Sequence, residues 1–210
     1  MDYLIPVIVG YLLGSIPFAY IIPKYLKGID ISKEGSGTVG TLNSYEVTES
    51  KSIGIIVLIL DVGKGLLAVF LIKLLISDQI FIYPAIALAS AVAGHCFPVW
   101  LKFKGGRGLA TAAGGSILLI PAVLGLWAVL WLIAFAFRKN IHFGNISATV
   151  LTAALVITSA DILNKYSTPP AENPTVYALI ISLTLLIIMI KHIKPLKDWI
   201  GIRKKQIKER

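Results

Sequence analysis

The chain is poor in charge. Only 15% of its 210 residues are Asp, Glu, Lys or Arg, against 56% hydrophobic residues and a mean hydropathy of +0.81. Too few polar side chains are present to cover a water-soluble globule, so lipid must cover much of the surface. The charge that is there is one-sided, with 20 Lys and Arg against 11 Asp and Glu. Cysteine is nearly absent: Cys96 stands alone in an apolar stretch, which excludes an internal disulfide and reads as a small buried thiol. The three histidines, His95, His142 and His192, are scattered and no Asp/Glu cluster accompanies them, so no metal site and no cofactor are expected. No Gly-x-Ser-x-Gly elbow occurs, which removes the usual serine-hydrolase arrangement.

What the chain has in plenty is long apolar runs. They extend from about Tyr3 to Ile22, Ile53 to Ile76, Phe81 to Leu101, Phe143 to Leu163 and Pro174 to Ile190, each near the roughly 20 residues that span a bilayer core. The first run follows Met-Asp without a basic segment and reads as a retained membrane helix, not a removed signal peptide. The stretch 109–137 is too long for one crossing: as a single helix it reaches roughly 43 Å against a core of about 30 Å. Pro121 near its middle predicts two helices, about 109–120 and 122–137. Charge supports the split. With seven crossings, Lys24, Lys27, Lys33, Lys51, Lys102, Lys104, Arg107, Arg138, Lys139 and the tail from Lys191 to Arg210 share one face, and little beyond Lys165 lies on the other. The positive-inside rule then places the N-terminus outside and the C-terminus in the cytoplasm. The expectation is one all-α membrane domain, 1–210, of seven transmembrane helices, closed by a basic interfacial tail over about 194–210 that carries Leu196, Trp199, Ile200 and Ile207 towards one side.

Two glycine-rich runs fall on the same expected face. In the first, Gly35, Gly37 and Gly40 alternate with Ser36, Thr38, Thr41 and Asn43, so backbone N–H groups and short polar side chains can converge on an anion. In the second, Lys104 and Arg107 flank Gly105 and Gly106 at the expected start of a helix, where helix dipole, free N–H groups and cationic side chains all favour a phosphate. The plain alternatives are a flexible loop for the first and ordinary positive-inside charge for the second, above all for Lys102. His95 reads as a structural histidine or a proton acceptor. Asp61 and Lys64 lie three residues apart on one helical face, as an internal ion pair or with Lys64 on substrate. His142 and Asn145 add polar groups, and His192 is a candidate base for an alcohol. The segment 164–173, with Pro169 and Pro170, reads as a plain connector.

On these residues the chain resembles the bacterial acyl-phosphate:glycerol-3-phosphate acyltransferases, the PlsY family. The likeness rests on Gly14-Ser15-Ile16-Pro17, Gly35-Ser36-Gly37 with Asn43, Asp61-x-x-Lys64-Gly65, and the long run from Gly94 to Thr111. It implies seven helices in the bacterial inner membrane, with the active site on the cytoplasmic face. It also implies transfer of a fatty acyl group from acyl phosphate to glycerol 3-phosphate, giving lysophosphatidate and phosphate without coenzyme A or metal. The implied catalytic residues are Ser36, Lys104 and His192; the implied substrate-binding residues are Gly35, Gly37, Gly40, Asn43, Lys64, His95, Gly105, Gly106, Arg107 and His142. The partners implied are the two substrates and membrane lipid, with no nucleic acid or protein. No histidine is followed by Asp at the fifth position, which argues against the acyltransferases that use a His-x-x-x-x-Asp dyad. The chain departs from the family pattern at Thr38 (usually Asn), Glu46 (usually Arg), Arg107 (usually Lys), His142 (usually Ser) and Pro195 (usually Asn). These departures keep open a paralogue that binds or transports phosphorylated lipids, or has altered specificity.

Overall fold

The computed structural model describes residues 3–76 and 80–208, and these are all-helical, with no strand among them. The helices are α1 (Leu4–Ser15), α2 (Phe18–Lys27), α3 (Thr41–Thr48), α4 (Lys51–Leu75), α5 (Ile82–Cys96), α6 (Leu109–Leu119), α7 (Pro121–Arg138), α8 (Ile141–Thr158), α9 (Ala160–Leu163) and α10 (Pro174–Lys208). Among the described residues, six segments are long and apolar enough to cross a membrane: Leu4–Lys27, Lys51–Leu75, Ile82–Leu101, Pro121–Arg138, Ile141–Thr158 and Pro174–Lys197. The remaining apolar helix, α6, has 11 residues and a length of only about 16 Å.

Local chemistry explains the breaks. Pro17 has no N–H and drives Ile16 into extended backbone, which ends α1 and lets α2 restart at Phe18. The first run therefore continues past its expected end at Ile22 to Gly28, whose left-handed φ of 70° closes α2. Pro121 opens α7 as expected, with Ile120 out of helical backbone before it (φ −137°, ψ 57°). Pro195, by contrast, does not stop α10, which runs on through the basic tail to Lys208. The one-sided placement expected for the tail's side chains beyond 197 lies outside the described residues. The expected polar loop 24–52 also contains an element that periodicity did not signal, the eight-residue α3.

Contacts at the chain turns define two ends of the bundle. At one, Tyr3 meets Tyr83 with ring centres 5.5 Å apart, Phe81 meets Tyr177 at 5.4 Å, Lys73 Nζ donates to the Thr168 carbonyl, and Thr168 N donates to the Leu119 carbonyl at 2.9 Å. The segment between α9 and α10 is pinned there by Asn164, whose amide exchanges two 2.7 Å hydrogen bonds with Ala171. The opposite end gathers the 28–50 segment, the run from Phe97 to Gly108, the α7–α8 turn and the region around Lys191. Between the ends, small residues let backbones touch. A side chain at Gly65 or Gly114 would collide with the α6 or α4 backbone respectively, and α1 lies on α5 through Gly10 and Gly14 in the same way. The main core joins α5, α6, α8 and α10 around Leu88, Val92, Leu119, Val156, Tyr177 and Ile188.

Candidate active site

The second glycine run sinks into the bundle. Gly108 sits where a side chain would meet Cys96, Val92 and Ile188, so α6 starts well below the surface loops. That descent makes α6 short and leaves a cleft above its N-terminus. The inner cleft holds about 350 Å³ and is walled by α3, α6 and α8 with Asp61 and His95 from α4 and α5. An outer cleft of about 700 Å³, lined by Lys104, Lys191 and Lys194 among others, shares Ser36, Thr38, Arg107 and His142 with the inner one.

Two helix N-termini open onto the inner cleft without a side-chain cap. Gly40 precedes α3 and Gly108 precedes α6, and neither helix start is capped by a side chain. The first N–H groups of any helix have no intrahelical acceptor, so those of Thr41 and Leu42, and of Leu109 and Ala110, are offered to the cleft they line. The start of α8, Ile141 and His142, lines it too, although Asn140 Oδ1 already accepts from Phe143 N. Aligned peptide dipoles add positive potential at each end.

Arg107 bridges the two clefts. Its Nη1 lies 3.1 Å from His142 Nδ1; a guanidinium only donates, so Nδ1 accepts and the neutral imidazole carries its proton on Nε2. Burial pushes the Arg107 pKa below the ordinary arginine value, and the Glu46 carboxylate opposes that shift. Glu46, the expected charge reversal, thus lies in the cleft wall within electrostatic reach of Arg107.

Several residues expected to contact substrate are bound up inside the protein. Asn43, buried on α3, donates from Nδ2 to the carbonyls of Ile31 and Glu34, while its Oδ1 accepts from Ser36 N and Oγ. It lines the cleft, but its amide shapes the 31–36 turn. Gly35 and Gly37 take left-handed φ values of 58° and 67° in that turn, and a side chain at Gly35 would strike Asn43. Gly105 N donates to the Cys96 carbonyl and Gly106 N to the His95 carbonyl, so these two N–H groups face α5 and not a ligand. Gly106 is the contact between the two glycine runs, fitting against the His95 ring and the Val39 carbonyl with no room for a side chain.

Lys64 turns away from the main cleft. Its Nζ lies 2.8 Å from Asp61 Oδ1 and donates to the Ile16 carbonyl, the one exposed by the Pro17 break, at 2.9 Å. His95 lines the cleft, with Nδ1 3.5 Å from the same Asp61 oxygen. His192 is 1% exposed and lines neither cleft, its Nδ1 bonded to the Ile188 carbonyl and its Nε2 without a hydrogen-bond partner among the described residues. Lys104 is exposed on the outer cleft only. Residues not singled out from sequence join the wall: Leu42, Leu109 and Ala110 in the inner cleft, and Lys191 in the outer cleft, its ammonium 4.7 Å from the centre of the Phe97 ring. Asn145, a polar candidate without an assigned role, also lines the inner cleft; its Oδ1 accepts from Trp131 Nε1 at 2.7 Å.

An apolar helical bundle that sinks a cleft among helix N-termini, with Arg107 joining it to a lysine-lined outer cleft, defines an integral membrane protein with places suited to phosphate groups. The chain belongs to the glycerol-3-phosphate acyltransferase family, whose model matches residues 4–200. It is 40% identical over 142 residues to the glycerol-3-phosphate acyltransferase of Myxococcus xanthus, covering 68% of this chain and 73% of that one. It is 36% identical over 188 residues to that of Ehrlichia canis, covering 89% of each. Its fold is similar to crystal structures of PlsY, an integral membrane glycerol 3-phosphate acyltransferase, in glycerol 3-phosphate and lysophosphatidic acid forms. The TM-score is 0.77 for both, at 27% and 28% identity, covering 97% of this chain and 94% of theirs.

Proposed function

We propose that this protein transfers a fatty acyl group from acyl phosphate to a hydroxyl of glycerol 3-phosphate, working as one domain with seven membrane crossings and its cleft on the cytoplasmic face of a bacterial inner membrane. Glycerol 3-phosphate acyltransferase activity follows from the family. The observation that carries the donor assignment is the pair of uncapped helix starts on the inner cleft together with Arg107, which joins that cleft to the lysine-lined outer one and so offers positions for two phosphate groups. The bacterial relatives and the gathering of basic residues at the cleft end support the location.

Acyl phosphate is a mixed anhydride and needs little activation. The acceptor hydroxyl oxygen attacks the acyl carbon, the bond from that carbon to the phosphate oxygen breaks, and inorganic phosphate leaves with the electron pair. The hydroxyl proton passes to the departing phosphate or to a histidine. The protein's part is to hold the two substrates in line and to spread the phosphate charge over fixed N–H dipoles and Arg107. Backbone N–H groups at α3 and α6 take the role that sequence alone gave to Asn43, Gly105 and Gly106. The acyl chain extends between helices into lipid.

The test is phosphate release by purified protein in lipid nanodiscs, supplied with glycerol 3-phosphate and either palmitoyl phosphate or palmitoyl-coenzyme A. Release and lysophosphatidate formation with the first donor alone are expected. Turnover only with the thioester would overturn the donor assignment. Binding of both substrates without turnover would establish the non-catalytic reading that Glu46 in the cleft wall favours.

A further inference from the structure

A cleft made only of helix N-termini and guanidinium would accept any phosphate. Glycerol 3-phosphate differs from inorganic phosphate in its hydroxyls, which need acceptors once they leave water. The inner wall contains one buried carboxylate to which none of the described residues donates a hydrogen bond. Asp61, 1% exposed, lines the inner cleft from α4. Its Oδ1 lies 2.8 Å from the Lys64 ammonium and 3.5 Å from His95 Nδ1 as ion pairs, and neither carboxylate oxygen accepts a hydrogen bond from the described residues. A buried carboxylate oxygen left without a donor is unfavourable, and such an atom in a cleft wall marks a place for a donor from a ligand.

Position and sign narrow the donor. The carboxylate repels a phosphate, so the anionic end of a ligand goes to the α3 and α6 starts and to Arg107. A small ligand spanning the cleft then presents its other end to Asp61. Lys64, anchored on the Ile16 carbonyl, compensates the charge. Resting on the acyltransferase reading, we infer that the Asp61 carboxylate accepts a hydrogen bond from a hydroxyl of the acceptor and so selects a polyol phosphate, in one orientation, over phosphate alone.

The experiment is direct binding, by calorimetry on purified full-length protein, of glycerol 3-phosphate and of inorganic phosphate. Three proteins are compared: wild type, Asp61→Asn, and Asp61→Asn/Lys64→Met, the last removing both buried charges together. In wild type glycerol 3-phosphate binds more tightly than phosphate. In both variants the Kd for glycerol 3-phosphate is expected to rise about ten- to a hundredfold while that for phosphate stays within about twofold, the size of one charge-assisted hydrogen bond. Unchanged affinity for glycerol 3-phosphate in the folded double variant would overturn the inference. So would a parallel loss of both ligands, which a merely structural Asp61 would give. A wild-type protein that binds phosphate but shows no preference for glycerol 3-phosphate would instead refute the functional reading on which the inference stands.

Discussion

Arg107 and His142 meet nose to nose across the mouth of the cleft, Nη1 to Nδ1 at 3.1 Å, joining the second glycine run to the first turn of α8. The contact directs a cation that would otherwise be free to swing between two clefts. Arg107→Ala is expected to lower kcat/KM by about 10- to 150-fold, the equivalent of roughly 1.5 to 3 kcal/mol for a charge-assisted contact. Lys102→Ala, exposed and outside both clefts, should leave activity unchanged. His142→Ala should cost less than Arg107→Ala and lose its effect in the Arg107→Ala background, which a double-mutant cycle on kcat/KM reads directly. Additive effects would show that His142 does not act through Arg107.

Glu46 weakens the field that Arg107 supplies. Glu46→Gln should reduce the KM for glycerol 3-phosphate several-fold at low ionic strength, with the gain fading as salt screens an exposed charge. A raised KM would mean that Glu46 holds Arg107 in its working position.

The glycines separate into two kinds. Gly106→Ala forces a methyl group against the His95 ring and the Val39 carbonyl, an overpacking cost of about 1 to 3 kcal/mol, and should lower both Tm and activity. Gly40→Ala meets nothing within 4 Å at an extended φ of −162° and should keep the wild-type Tm. Equal Tm losses would contradict this packing.

Lys64→Met leaves the Asp61 carboxylate buried without its partner and is expected to destabilise by roughly 3 to 5 kcal/mol. Adding Asp61→Asn should restore much of the Tm. Thermal unfolding of the single and double variants decides it, and a stable single variant would argue that the pair is solvated.

The proposed orientation places the two ends of the bundle on opposite sides of the membrane. Cysteine introduced at Lys33 should react only with reagent on the cytoplasmic side, and cysteine at Tyr166, which is 62% exposed near the opposite end, only with reagent outside; native Cys96 is buried and silent. Labelling of both from one side would exclude an odd number of crossings between them.

Much of this protein is written in local pattern. Apolar runs of bilayer length, the breaker at Pro121, and basic residues massed in alternate loops are properties of short windows, and together they specify an all-helical membrane protein with both glycine runs at one end. Tertiary structure decided what those runs are for. Whether an N–H or amide is free for a ligand depends on which distant atom approaches it. The Cys96 and His95 carbonyls take the N–H groups of Gly105 and Gly106, and Ile31, Glu34 and Ser36 take the amide of Asn43, while α3, unmarked by any hydrophobic period, offers an unclaimed helix start. The i,i+3 spacing of Asp61 and Lys64 announced a pair, but only the fold set the Ile16 carbonyl beside Lys64 and left the Asp61 carboxylate in the cleft wall without a hydrogen-bond donor among the described residues. Sequence determines which groups are present and on which face they emerge; hydrogen-bond partnership between remote segments determines which of them remain available.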